Sequence, residues 1–299
     1  MPSPTTNVMA LGYQSNWAEI LSSPFMRNAL LGGTLVALAA GLIGYFIIVR
    51  SSAFAAHALA HIGFPGATGA VLVGLPVMVG LAVFCVGGAL VIGALGKRAD
   101  EREVATGTVL AAATGLGLFF SSLATKSSST VTNVLFGNLL AVSHQQLLTF
   151  AAALALIAGV VAVVYRPLLF ASVNPEVAEA RGVPVRVLSV VFMALLGLSV
   201  TMAVQAVGTL LLFALVVTPA ATAILLTARP GAAMALATVL AVGSVWGGLA
   251  ISAMFNVPPS FVITTIVSLI WLVVRLAAHR GARDRKAPAQ AHGAPATEG

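Results

Sequence analysis

The stretch NALLGGTLVALAAGLIGYFIIV, residues 28–49, runs for 22 residues without a charged side chain. At about 1.5 Å of rise per residue, a helix of that length crosses the roughly 30 Å hydrocarbon layer of a bilayer. Eight more apolar runs follow, at 54–74, 77–95, 104–124, 145–165, 187–205, 208–226, 232–251 and 259–277. Hydrophobic residues make up 59% of the 299-residue chain and charged residues 8%, where a soluble domain carries about a quarter charged. The mean hydropathy is +1.04. The chain therefore reads as all-α, a polytopic membrane bundle of about nine transmembrane helices. A soluble enzyme, a nucleic-acid binder and a disordered chain are excluded.

The runs divide the chain into an extracytoplasmic segment 1–27, a membrane domain 28–277 and a tail 278–299. The tail is rich in Ala, Pro, Gly and charge and is predicted to be disordered. The first segment shows no signal-peptide pattern, and its Asn16–Phe25 portion is predicted to form a surface helix anchored by Trp17 and Phe25. The second run is predicted to break at Pro65-Gly66, and the seventh to kink at Pro219. Between the sixth and seventh, only a tight turn near Gln205–Gly208 is possible.

The net charge of +7 belongs to membrane orientation. With nine spans and the C-terminus in the cytoplasm, thirteen Lys and Arg lie on inner segments, and only Arg27 and Lys126 lie outside. Basic residues collect on the cytoplasmic side, so this orientation is predicted.

All eight acidic residues fall outside the runs. Proton-coupled carriers relay protons through intramembrane carboxylates, so energy is expected from a partner. Apart from Arg275, two residues from the end of the ninth run, the basic side chains inside the runs are His57 and His61, four residues apart and so on one helix face. Two imidazoles at that spacing can share a divalent transition metal. A structural role, with each ring hydrogen-bonded to a neighbouring helix, is the competing explanation. An intramembrane metalloprotease would need Glu after the first His, and that position is Ala58. The lone cysteine, Cys85, rules out an intrachain disulfide and reads as a small buried residue.

Between the fifth and sixth runs stands SVNPEVAEARGVP, residues 172–184. Asn174 suits the N-cap and Pro175 the first helical position. Glu176 and Glu179 complement the positive end of the helix dipole. Gly182 suits the C′ position, and Pro184 blocks continuation. A short, well-capped helix is predicted on the inner surface.

Four stretches together resemble the permease subunits of bacterial ABC importers for zinc and manganese. These are LAHIGFPG at 59–66 with the preceding Arg50, FGNLLAVS at 136–143, Asn174–Gly182, and the late span containing VGTL at 207–210 and TPAATA at 218–223. The resemblance covers residues 28–277. It implies a type II ABC importer permease architecture: a homodimer in the bacterial inner membrane, two cytoplasmic ATP-binding subunits and an extracytoplasmic metal-binding protein. His57 and His61, read from their spacing, would be the metal ligands, and the resemblance implies that Asn174, Pro175, Glu176, Glu179 and Gly182 form the coupling helix to the ATPase. The chain would be a pore, not an enzyme, with no intrinsic cofactor. It has no G-x-x-x-x-G-K-[ST] loop, so ATP would be bound by the partner.

Two positions depart from the family pattern. Asp is common where this chain has His57, and often found where it has Asn138. A nitrogen ligand in place of a carboxylate leans toward zinc over manganese. Alternatives are a permease for cobalamin or iron chelates and a stand-alone carrier or channel.

Overall fold

A computed structural model describes residues 17–96, 99–123, 134 and 136–291. Lys97, Arg98, Lys126, the first sixteen residues and the last eight lie outside the described residues. The described residues form helices and no strand. In order they are α1 (Trp17–Ser22), α2 (Pro24–Val49), α3 (Ala53–Leu72), α4 (Val77–Leu95), α5 (Ala99–Leu123), a 3-10 turn (Leu139–Ala141), α6 (His144–Val173), α7 (Pro175–Ala180), α8 (Val185–Val207), α9 (Thr209–Val216), α10 (Thr218–Leu226), α11 (Pro230–Phe255) and α12 (Pro259–Ala291).

Among the described residues, seven helices are long and apolar enough to cross a membrane: α2, α4, α5, α6, α8, α11 and the part of α12 up to Ala278. The expected count of nine is thus met only in part. The two histidines lower the hydropathy of α3, and the α9–α10 segment is broken. The break falls at Val217, beside the predicted kink at Pro219. A proline cannot donate to the carbonyl four residues earlier.

Three other expectations are corrected. The helix does not break at Pro65-Gly66: α3 runs through both. One missing donor is tolerated inside a packed membrane helix, and the Thr68 hydroxyl donates to the carbonyls of Phe64 and Pro65, at 3.1 and 3.2 Å. The fifth span also runs past its predicted end at 165, through Pro167, to Val173. Finally, α12 continues past the predicted end of the ninth run at 277, to Ala291. Ala, Arg and Lys are good helix formers, so the end of the apolar run does not end the helix.

α2 and α8 are the central helices, each with 67% of its most apolar window buried. α2 packs on α11 and α6, and α8 on α4, α6, α2 and α3. The outer helices present large apolar side chains outward, Val163 at 82% exposure and Val104 at 72% among them. Such surfaces suit lipid and not water. Most buried hydroxyls inside the bundle donate to the carbonyl one turn earlier, as Thr201 does to Gly197 and Thr222 to Thr218, both at 2.8 Å.

One helix crossing positions the candidate site. A Cβ added to Gly66 of α3 would meet the Gly80 carbonyl of α4, and one added to Gly80 would meet the Gly66 carbonyl. Small residues let membrane helices approach this closely. A turn away, a Cβ on Gly63 would stand 2.8 Å from the Cys85 sulfur, whose thiol donates to the Leu59 carbonyl at 3.3 Å. Cys85 is fully buried, as its apolar context predicted.

Candidate metal site and coupling surface

Successive residues of a helix are separated by about 100°. Leu59, Ile62, Gly63, Gly66 and Ala70 therefore share the face of α3 that packs on α4. His57 and His61 project from the opposite face, where α3 packs against α9. Their rings lie 4.9 Å apart at 73°, and His57 stands edge-on to Phe213 of α9 at 6.2 Å. Both rings are half-buried. Nδ1 of His57 is buried without a hydrogen-bond partner, which leaves a lone pair or proton unused on an imidazole at depth. The structural explanation, rings held by hydrogen bonds to neighbouring helices, is not what this nitrogen shows.

Further polar atoms that composition did not single out lie at the end of α8 and the start of α9. The hydroxyl of Thr209, at the start of α9, is wholly buried and unpartnered. Oε1 of Gln205 is buried and unpartnered as well. Gln205 also lines a cavity of about 230 Å³ with Asn138, Gln146 and Phe150. Between Gln205 and Thr209 the chain turns on Gly208 alone, at φ 84°, a conformation glycine adopts freely. The tight turn predicted there is present. Among the described residues no three His, Cys, Asp or Glu side chains converge. One chain thus offers two imidazoles and no complete cage.

On the opposite side of the sequence logic stands α7. Asn174 Oδ1 accepts from the Val177 N–H at 3.1 Å, and Pro175 opens the helix. Gly182 takes φ +79°, and the Val183 N–H closes onto the Ala178 carbonyl at 3.0 Å. Ala178 is buried against the bundle, while Glu176, Val177 and Glu179 are exposed. All five predicted residues of this element therefore assemble into one capped, outward-facing helix, well separated in sequence from the histidines.

Arg50 had been singled out only as part of a motif. Its guanidinium donates to the hydroxyls of Ser172 and Ser189, at 3.2 and 3.1 Å, and lies over the Phe192 ring at 5.1 Å. Burial pushes it down to about 10, with the Arg102 charge acting in the same direction, so it stays charged at neutral pH. No local pattern could have found these partners, which lie 122 and 139 residues away.

Residues 22–278 match the ABC 3 transport family. The chain is 33% identical over 253 residues to the manganese transport system membrane protein MntC of Listeria innocua, covering 84% of this chain and 90% of that protein. It is 31% identical to the manganese import system permease protein ScaB of Streptococcus gordonii, covering 83% and 90%. Among solved structures, PsaBC from Streptococcus pneumoniae superposes with a TM-score of 0.77 at 29% identity, over 87% of this chain and 94% of that one. An inward-facing metal-chelate type ABC transporter shares the fold, with a TM-score of 0.65 at 17% identity.

Proposed function

Because the chain belongs to the ABC 3 transport family, we propose that it is the membrane permease subunit of an ATP-driven importer for a divalent first-row transition metal. The observation that carries the metal is the His57–His61 pair, one turn apart on the face of α3 away from α4, with an unpartnered nitrogen. A cation crossing hydrocarbon needs ligands at depth. With two imidazoles per chain, a second copy across a two-fold axis would bring the total to four. An incomplete or distorted cage lets the metal leave again.

Manganese is the first candidate, since the relatives carry manganese in their names. The lean toward zinc has no support from them. It rests on His57 alone, a nitrogen donor that suits zinc better than manganese, and zinc stands as the second reading. Power comes from two cytoplasmic ATP-binding subunits docked on α7, and cargo from an extracytoplasmic binding protein. α3 and the broken α9–α10 complete nine spans, with the N-terminus outside, the C-terminus in the cytoplasm and the complex in a bacterial inner membrane. The test is metal content of a deletion strain grown in manganese-poor and zinc-poor medium. The proposal expects one metal to fall and to recover with the restored gene. Unchanged content of both would overturn it.

A further inference from the structure

We propose that Arg50 is the mechanical link between the coupling helix and the metal-bearing helix, a positioning residue that moves α3 when α7 moves. The proposal rests on the permease reading above. α7 hangs between two arms, the end of α6 and the start of α8. Ser172 lies on the first arm, two residues before the Asn174 cap, and Ser189 lies on the second. The Arg50 guanidinium donates to both hydroxyls. The Ser172 hydroxyl gives its own proton to the Leu168 carbonyl at 2.6 Å, so its lone pairs are left for the guanidinium. Phe192, fully buried one turn beyond Ser189, holds the guanidinium from below. A planar fork with five donors holds two arms in one fixed geometry, which the compact, freely rotating ammonium of a lysine does not.

The other end of Arg50 is its backbone, and this is fastened to α3. Arg50 caps α2, and Ser52 opens α3. The intervening Ser51 sits at φ +50°, and the Ser52 N–H donates back to the Ile47 carbonyl at 2.8 Å. The Arg50 carbonyl accepts from the Arg102 guanidinium at 2.8 Å and from the Ser52 hydroxyl at 3.2 Å. The α2–α3 corner is thus a tight, cross-braced turn with no slack. From it α3 runs as one helix to His57, over a path of about 1.5 Å per residue. A displacement of α7 reaches the histidines through the two guanidinium hydrogen bonds, the braced corner and one continuous helix. Coupling needs such a contiguous physical connection between two moving elements.

The test uses the full complex with its ATPase in proteoliposomes, given manganese or, separately, zinc. The variants are R50A, R50K and the double variant S172A/S189A. The double variant removes two hydroxyls, adds only alanines to helices and leaves the charge in place, so it decides the matter even if R50A fails to assemble. Metal imported per ATP hydrolysed is expected to fall at least fivefold in S172A/S189A and R50K, while hydrolysis continues at the parental rate. A parental ratio in S172A/S189A overturns the link. A second readout does not depend on the cargo: spin labels at Ala180 and Phe54. Their separation is expected to stay fixed through the nucleotide cycle in the parent and to shift or broaden in S172A/S189A. Identical distributions would also overturn it. If the parent imports neither metal, the permease reading fails, and the label distances still decide the link.

Discussion

The crossing of α3 and α4 leaves no room for a methyl group, and that makes Gly66→Ala a sharp test of what positions the histidines. An ideal Cβ at Gly66 falls 2.7 Å from the Gly80 carbonyl carbon and 2.8 Å from the Phe84 Cβ. Carbon atoms at rest stand about 3.5–4.0 Å apart, so the helices must part by about 1 Å. Overpacking of this kind costs about 1–3 kcal/mol. Metal–ligand distances tolerate only about 0.2 Å, so the same shift also disorganises the site. Gly80→Ala meets the reciprocal obstruction, and the double variant should cost less than the sum of the two, since one separation relieves both. Gly87, on the same helix α4, is the control, because an added Cβ there meets nothing within 4 Å. Gly87→Ala removes only a poor helix former and should gain up to about 1 kcal/mol. The assay is denaturant unfolding of the purified permease, read beside metal uptake. If Gly66→Ala unfolds at the same midpoint as Gly87→Ala and transports like the parent, the close crossing does not hold α3 in place.

Further expectations concern α7, topology and selectivity. Asn174→Ala should destabilise α7 by about 1 kcal/mol, and Gly182→Ala by about 1–2 kcal/mol, because a Cβ at positive φ is strained; both should weaken pull-down of the ATPase. Glu176→Lys with Glu179→Lys should weaken that pull-down without unfolding the permease, and normal assembly and transport of this pair would remove α7 from the docking surface. Cysteines at Ser22 and Ala180, both exposed, should be labelled from outside and inside the cell respectively; Cys85 is buried and gives little background, and outside labelling of Ala180 would reverse the topology. His57→Asp should retain uptake and raise the preference for manganese over zinc, because it restores an oxygen donor; an unchanged ratio in competition uptake would show that residue 57 does not select the metal.

What the sequence made legible is local. Hydropathy located each apolar helix, and the Asn174-Pro175 start and Gly182 end of α7 were readable because capping involves neighbours in the chain. The His57–His61 pair was readable from its spacing. What escaped depends on contacts between distant segments. Pro65 has the composition of a break, but α3, packed on α4 and α5, continues through it. The same histidines that mark the site make α3 the least obvious span. Ser172 and Ser189 look like ordinary helix serines until Arg50 is seen between them, and nothing near Thr209 in sequence shows that its hydroxyl has no partner.

The central claim is that metal passes the imidazoles of α3. It is tested most directly by ATP-dependent uptake of radiolabelled manganese, and of zinc in parallel, into proteoliposomes containing the complete complex. The parent should import, and His61→Ala should abolish uptake while assembly with the ATPase is retained. If the double variant His57→Ala with His61→Ala imports either metal at the parental rate, the histidines are structural and the pathway lies elsewhere.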